Sequence, residues 1–259
     1  MALQSPEALL KQWILAVQDY SILCATAISA LFTRPRYWAD IVTQMDSIGV
    51  GSLPIIVLTG FFTGCVLALQ SATALTEFGA VSMTGSLVSL SMVKELGPVL
   101  TGLMVSGRNA AGMASEIGSM KVTEQLDAMR ALGTDPIRKL VAPRLFATVF
   151  MLFFLTIIAD AFGIAGGALM SVTILGLNAS TYLHDSYRGL VHGDIVQGLT
   201  KPVFSAFIIA TVGCYCGMKT TGGTQGVGRA TTQAVVISSV FIIIVDLLVT
   251  RAMIGIFGS

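Results

Sequence analysis

Long apolar runs alternate with short polar segments along the 259-residue chain. No Asp, Glu, Lys, Arg or His stands between Asp46 and Glu77, or between Arg144 and Asp160. A helix needs about 20 predominantly apolar residues to cross a bilayer, so runs of this kind indicate membrane-spanning helices. Hydropathy predicts five of them, over residues 48–72, 85–108, 145–170, 198–218 and 232–256.

The first 45 residues follow a different pattern. Ser5, Pro6 and Glu7 form a helix start, with a capping serine, a proline in the first turn and an acid near the positive end of the helix dipole. Polar residues then gather on one side of the helix and apolar residues on the other, which is typical of a helix lying in the membrane interface. The chain is therefore divided into an N-terminal interfacial segment, 1–45, and a five-span domain, 46–259.

Composition places the chain among the all-α integral membrane proteins. Hydrophobic residues make up 54% of it and charged residues 11%, whereas about 25% of a soluble domain is charged. The net charge is +1 and the basic residues are spread out, which argues against a nucleic acid partner. The four cysteines fall in or beside apolar segments, where we expect small core residues and no metal site.

The basic residues predict the orientation. Most of the 15 Lys and Arg residues stand before the first span or in the loops after the second and fourth spans. Short loops rich in Lys and Arg stay in the cytoplasm, so the N-terminus and the loop between the second and third spans are expected there. The loop over 171–197 then lies on the opposite side, and its His184 and His192 are expected in a small solvated helix rather than in a metal site.

A short polar helix is predicted inside the central loop, over about residues 123–133. Thr123 is placed to cap its start and Gly133 to end it. Residues at threefold spacing give this helix one apolar stripe: Leu126, Met129 and Leu132. Two interpretations remain open, a solvated connector and a docking element for a separate cytoplasmic protein.

Several motifs follow one another in the segment from Glu95 to Arg144: ELGP, a Gly-Arg pair, Glu-Ile-Gly, MKVTEQLDA and an Asp-Pro pair. In order and spacing this segment resembles the signature region of the MlaE/YrbE permeases, the membrane subunits of Mla- and Mce-type ABC phospholipid transporters. The run GVGRATTQAVV, at residues 226–236, resembles the family's last entry into the membrane. Together with chain length and span count, the resemblance covers about residues 45–256.

The resemblance implies a permease subunit that works as a homodimer in the bacterial inner membrane. It also implies a cytoplasmic ABC ATPase subunit and a periplasmic MCE-domain protein as partners, with phospholipid as the substrate. Such a transporter moves lipid between the inner and outer membranes and contributes to outer-membrane lipid asymmetry. The chain has no G-x-x-x-x-G-K-[ST] motif, so no cofactor is expected on it, and ATP and Mg²⁺ would belong to the ATPase.

The resemblance makes the central helix the coupling helix, which passes movement of the ATPase to the membrane domain. A rigid, capped helix suits this role because it can be pushed without melting. Seven residues in and beside the central loop are expected to face the ATPase or to brace the helix: Glu116, Thr123, Glu124, Gln125, Asp127, Arg130 and Asp135.

Lys94 and Glu95 interrupt the second predicted span. A charge in the middle of the bilayer costs about 3 kcal/mol, so such residues rarely face lipid. Neighbouring positions differ by about 100° around a helix, so the two side chains are expected to meet different partners. Pro98 is expected to kink the span beside them. These three residues and Leu96 are predicted to line a cavity for a lipid head group, and a purely structural ion pair is the alternative.

Small residues recur every four positions below this kink: Gly107, Ala111 and Ser115. This is the close-packing pattern of membrane helices, and it predicts tight packing within the subunit or at a two-fold dimer interface.

Asp160 and Asp246 are carboxylates inside the third and fifth predicted spans. Proton-coupled transporters place carboxylates in this way, so an ion-coupled secondary transporter is one alternative function. No inverted repeat or pair of broken helices is evident to support it. A membrane scaffold that transports nothing is the other alternative.

Overall fold

The computed structural model describes residues 6–33 and 37–257. All regular secondary structure in this part of the chain is helical, which confirms the all-α prediction. Its α-helices are α1 Pro6–Phe32, α2 Trp38–Thr76, α3 Thr84–Ser91, α4 Gly97–Val105, α5 Ala111–Val122, α6 Gln125–Ala131, α7 Ala142–Thr173, α8 Ala179–Arg188, α9 His192–Met218 and α10 Gly223–Phe257. Shorter helical turns connect some of them: a 3₁₀ turn at Val81–Met83 and π-turns at Met92–Leu96, Ser106–Ala110 and Ile137–Val141.

Six helical stretches of the described chain are long and apolar enough to cross a membrane. Five of them contain the five predicted spans, and most extend past the predicted apolar run because their polar ends remain helical. The sixth is Ile14–Phe32 within α1, the helix that was predicted to lie in the interface. The protein is an all-α integral membrane protein.

Both halves of α1 contact the same end of the helix bundle. Midway along it, Asp19 pairs at 2.5 Å with Lys219, which directly follows α9. Further along, Ala27 joins a buried apolar cluster with residues of α2, α5, α6 and α7. The location of α1 in the membrane interface stays a prediction, since its length and hydropathy also fit a span. We call this end, which carries α6, the coupling end.

The second predicted span is a composite of α3, α4 and α5, joined by the π-turns at Met92–Leu96 and Ser106–Ala110. A π-turn interrupts the regular ladder of backbone hydrogen bonds and re-aims the side chains around it. The first π-turn lies directly before Pro98, in the region where a kink was predicted. Pro98 itself sits in the first turn of α4, where its missing N–H is tolerated.

The most extensive helix contact joins α2 and α7. Glycines on both helices allow their backbones to approach closely. A Cβ atom added at Gly60 would stand 2.7 Å from the Ala159 carbonyl oxygen, and one added at Gly64 would overlap the Gly163 carbonyl group. This is small-residue packing, the arrangement by which membrane helices gain van der Waals contact.

The small residues of the second span divide between two faces. One row is buried inside the subunit: Ala110, Ala114 and Gly118. It packs on α9, where a Cβ at Gly213 would lie 3.1 Å from the Ala110 Cα. The predicted row lies elsewhere, with two exposed residues and one partly buried: Gly107, Ser115 and Ala111. This row is therefore not packed inside the subunit, and its place at a dimer interface stays a prediction.

We expect Gly64→Leu to destabilise the bundle by about 3 kcal/mol or more, because overpacking a close contact costs roughly 1–3 kcal/mol and here the obstacle is backbone. The measurement is thermal unfolding in detergent. Gly255→Leu is the matched control, since a Cβ there meets nothing within 4 Å. Equal melting temperatures for the two variants would contradict the proposed role of Gly64.

Candidate functional site

Four polar side chains from three membrane-spanning stretches lie together at the first half of α9, the half away from the coupling end. Lys201 of α9, whose side chain is 2% exposed, lies 2.5 Å from Glu95 Oε2 and 3.0 Å from Asp246 Oδ1 of α10. The Thr250 hydroxyl, also on α10, donates to Glu95 Oε1 at 3.2 Å. We call Glu95, Lys201, Asp246 and Thr250 the charge cluster.

The π-turn at Met92–Leu96 directs Lys94 and Glu95 to separate partners. Lys94 pairs at 2.9 Å with Asp194, in the first turn of α9. Asp194 also accepts a hydrogen bond at 3.0 Å from the backbone N–H of Val191, so it caps the start of that helix. The prediction that the two charged neighbours meet different partners is confirmed. Lys94 fixes the beginning of α9, while Glu95 belongs to the charge cluster.

Glu95 is the open member of the charge cluster. Its side chain is 42% exposed, whereas that of Asp246 is 17% exposed. Next to it, Leu96 lines a groove of about 340 Å³ with residues of α2: Phe62, Thr63, Val66, Leu67 and Gln70. Pro98 is buried and lines no described cavity near them. Of the four residues predicted to line a cavity, Leu96 alone lines this groove, and the role of the other three in a lipid cavity stays a prediction.

One cation lies between two carboxylates in the charge cluster, which leaves a formal charge of −1. Burying such ions requires that each keeps its partners, because removing one leaves an uncompensated charge in a medium of low dielectric constant. The exposed side of Glu95 would be costly against lipid hydrocarbon. The geometry therefore favours a polar or water-filled space beside Glu95.

Sequence reasoning missed the role of Lys201, which was counted only among the basic residues on the non-cytoplasmic side although it lies inside the predicted span 198–218. The residue lies well inside α9, because that helix begins at His192 rather than near residue 198. A signal was present: Asp246 stands in an apolar helix and requires a cation within reach. Asp160 differs, because its carboxylate has no ion pair among the described residues and is buried against Gly97.

The second candidate site is α6, the predicted coupling helix, at the opposite end of the composite span. It runs from Gln125 to Ala131, shorter than the predicted 123–133. Gly133 has a φ of 77°, as expected of a residue that ends a helix. Thr123 was expected to cap the start of this helix, and that prediction is wrong. Its hydroxyl donates at 2.9 Å to the Ser119 carbonyl and so completes α5.

Glu124 takes the position between α5 and α6 with a φ of 60°. Non-glycine residues seldom adopt this left-handed conformation, and holding one there costs on the order of 1 kcal/mol. Glu124 separates α5 from α6, and both Glu124 and Gln125 are exposed.

The apolar stripe of α6 splits between two environments. Leu126 is 1% exposed and belongs to the buried cluster at the coupling end, together with Ile117 of α5 and Leu145 of α7. Leu132, directly after the helix, is 84% exposed. Met129 is half-buried between them. The helix is thus anchored by Leu126, while Leu132 remains available to a partner.

Two basic residues hold Asp127 on the exposed side of α6. Lys121 donates to one carboxylate oxygen at 2.9 Å and Arg130 to the other at 3.1 Å. The hydrogen bond and charge of Lys121, together with Arg130, hold the pKa of Asp127 below its usual value. These contacts brace the short helix against the end of α5.

The ends of the central loop are joined by an ion pair. Glu116 of α5 lies 2.7 Å from the buried Arg144 of α7, which also donates at 3.0 Å to the Leu140 carbonyl. Asp135 accepts a hydrogen bond at 2.9 Å from the backbone N–H of Ile137, where the chain turns toward α7. Glu116, Asp127, Arg130 and Asp135 therefore brace the loop, as one of the two predicted roles requires.

The comparisons with known proteins now bear on both sites. Residues 41–252 match the model of the family described as Permease MlaE. The chain belongs to the MlaE permease family. This match covers the charge cluster, the composite second span and the coupling helix. The MlaE-type resemblance inferred from the Glu95–Arg144 motifs is therefore confirmed.

Individual relatives agree. A probable ABC transporter permease protein of Rickettsia bellii is 44% identical over 236 residues, 91% of each chain. The Haemophilus influenzae intermembrane phospholipid transport system permease protein MlaE is 36% identical, over 87% of this chain and 88% of its own. The chloroplastic TRIGALACTOSYLDIACYLGLYCEROL 1 protein of Arabidopsis thaliana is also 36% identical, over 87% of this chain and 64% of its own. Bacterial and chloroplast proteins therefore share this membrane domain.

We expect Lys201→Met to destabilise the protein by about 3–5 kcal/mol, because it leaves Glu95 and Asp246 unpaired. Thermal unfolding in detergent measures the loss. Lys219→Met is the matched control: Lys219 follows the same helix and also contacts a carboxylate at 2.5 Å, but the pair is exposed and contributes less than about 1 kcal/mol. Similar losses of stability in both variants would show that burial does not determine how much the charge cluster contributes to stability.

Proposed function

We propose that this chain is the permease subunit of an ATP-driven phospholipid transporter acting between the inner and outer membranes. The observation that carries the proposal is the charge cluster. It presents a half-exposed carboxylate at Glu95, and the next residue, Leu96, lines a groove with residues of α2. The family includes a permease named for intermembrane phospholipid transport. A polar head group could interact with Glu95 while acyl chains lie along the groove beside Leu96.

The proposed working unit is a homodimer. The outward row of small residues on the second span would let a second copy approach closely. α10 also leaves large apolar side chains exposed, among them Val240, Phe241 and Leu247. Pairing of two copies around the second and fifth spans would enclose Glu95 in a shared cavity. Its carboxylate would then avoid the energetic cost of facing lipid hydrocarbon.

An ABC ATPase subunit is the proposed partner at the coupling end, and ATP and Mg²⁺ would bind to that subunit. Leu132, Glu124 and Gln125 are among the exposed residues of the coupling region. Leu126 ties the same helix into the core between α5 and α7. A push on the exposed residues would therefore move α5, and with it the composite span that carries Glu95.

The orientation proposed from the basic residues faces the coupling end to the cytoplasm, in the bacterial inner membrane. α8 and the start of α9 would then face the periplasm, where an MCE-domain protein would receive or deliver lipid. Transport along this route would contribute to outer-membrane lipid asymmetry.

The two alternatives make different demands on the same residues. An ion-coupled transporter would need carboxylates free to exchange a proton or cation, yet Asp246 is held by Lys201 at 3.0 Å, and Asp160 is buried against Gly97. A scaffold would not need a half-exposed charge beside a groove. The paired state of Asp246 favours the ATP-driven transporter.

The first test is purification of the protein from its native membranes in mild detergent, with co-purifying proteins and lipids identified by mass spectrometry. We expect an ABC ATPase, an MCE-domain protein and bound phospholipid. A protein recovered without any nucleotide-binding partner would overturn the proposed ATP-driven mechanism and favour the ion-coupled alternative.

The second test separates docking from folding at the coupling end. Leu132→Asp should reduce recovery of the ATPase at least tenfold, because it places a charge in the proposed contact and leaves the fold intact. Leu126→Asp should instead unfold the coupling end, because it buries an unpaired charge.

Co-purification with the ATPase and thermal unfolding are read in parallel for these variants. Val122→Asp serves as a control, since Val122 is exposed at the end of α5 but lies outside α6. Wild-type recovery of the ATPase with Leu132→Asp would show that docking uses another surface.

A further inference from the structure

A cavity at the coupling end lies apart from both candidate sites. It has a volume of about 330 Å³, near the lower end of the range of roughly 300–1,000 Å³ for small-molecule pockets. The last turn of α1, the start of α2 and the first turns of α7 enclose it. Six residues define the features used below: Phe32, Tyr37, Trp38, Ile41, Arg138 and Phe146. We call this cavity the coupling-end pocket.

Exposed aromatic side chains surround the coupling-end pocket. Phe32 is 79% exposed and Trp38 57% exposed, and Phe146 of α7 is exposed as well. Tyr37 completes the set at the start of α2. Trp and Tyr concentrate where the hydrocarbon of a bilayer meets its head groups, since their rings are apolar at one end and polar at the other. The pocket therefore opens at the level of the lipid head groups and glycerol backbone.

Of the residues that the structure describes, Arg138 is the cation that lines the coupling-end pocket. Its nearest acid is Asp135, whose Oδ2 lies 3.6 Å from Nε, too far for a strong hydrogen bond. The neighbouring Lys139 is fully engaged: it pairs with Asp40 at 2.8 Å and lies 4.2 Å from the centre of the Tyr37 ring. Among the described residues, the terminal guanidinium nitrogens of Arg138 have no hydrogen-bond partner. They are placed to bind a phosphate in a bidentate manner.

We propose that the coupling-end pocket binds an anionic phospholipid from the leaflet on this side of the membrane. Arg138 would hold the phosphate, and an acyl chain would lie against Phe32, Trp38 and Phe146. Basic pockets between membrane helices commonly take anionic lipid head groups in this way. The proposal requires only that the chain is embedded in a bilayer, so a result that overturns the proposed function does not overturn it.

Such a lipid would act as a structural ligand rather than as transported substrate. Arg138 lies in the π-turn that connects the coupling loop to α7, and Phe32 is the last residue of α1. A phospholipid that contacts both would hold α1 against the segment that follows the coupling helix. The membrane's content of anionic lipid would then influence how firmly the coupling end is held.

Tryptophan fluorescence tests the proposal directly, because the chain has only two tryptophans and Trp38 lines the pocket. Trp13→Phe leaves Trp38 as the single reporter in the full-length protein. The protein is placed in nanodiscs of unlabelled phosphatidylcholine containing increasing amounts of dibrominated phosphatidylglycerol or dibrominated phosphatidylcholine. Bromine quenches Trp38 only when the labelled chain lies beside it.

We expect half-maximal quenching at a mole fraction about fivefold lower for the anionic lipid, the effect of one basic residue at a membrane surface. Arg138→Gln should abolish this preference while leaving the melting temperature unchanged, and Arg138→Lys should keep most of it. Arg229→Gln is the control for net charge, since Arg229 is an exposed arginine at the start of α10 and lies outside the pocket.

Equal quenching by the two lipids in the Trp13→Phe protein would overturn the proposal before any further variant is made. Absence of quenching by either lipid would also overturn it, because the pocket would then be closed to lipid. A preference that survives Arg138→Gln, or that Arg229→Gln removes equally, would identify general attraction to the basic surface instead of a defined site.

Discussion

The burial of Lys201 is the constraint on which the membrane-embedded half of the structure depends. A single ammonium group, 2% exposed, is satisfied by Glu95 from the second span and Asp246 from the last helix. At this burial no water can replace these partners, so the three helices must stay in register. The same register brings Lys94 to Asp194 in the first turn of α9.

The composite second span makes this arrangement possible. A regular α-helix would place Glu95 and the small residues of α5 on faces fixed by a period of 3.6 residues. The π-turns at Met92–Leu96 and Ser106–Ala110 each change the direction in which the following side chains point around the helix. Glu95 can therefore face α9 and α10 at one end, while Ala110 and Ala114 pack on α9 at the other.

Much of the fold was predictable because it follows from composition and period. The five spans, the short central helix and the role of Gly133 need only local information, and the structure contains all three. The role of Lys201 was missed because its partners, Glu95 and Asp246, lie far from it in sequence and on other helices. The apolar stripe that contains Leu126 was interpreted as part of a possible docking element for a similar reason. The sequence shows that one face of the helix is apolar, but it does not show which residues cover that face.

The capping error at Thr123 has a local physical cause. A threonine before a polar helix can accept a hydrogen bond from the helix that follows, or donate one to the helix that precedes. Here the left-handed turn at Glu124 separates Thr123 from α6, and its hydroxyl reaches back to the Ser119 carbonyl. Non-glycine residues seldom adopt a left-handed conformation, so nothing in the local sequence predicts one at Glu124.

The two candidate sites are ends of one mechanical element. From Val122, at the coupling end, the chain runs through α5, a π-turn, α4 and a second π-turn to Glu95. α5 contacts α9 almost backbone to backbone at Gly213 and Gly217, so it cannot shift without moving that helix or sliding along it. Helix α9 carries Lys201. Under the proposed function, a displacement at the coupling end would reach the charge cluster by two routes, and any difference between the routes would change the separation of Lys201 from Glu95. The π-turns interrupt the regular hydrogen-bond ladder, so they are where such a difference would be absorbed.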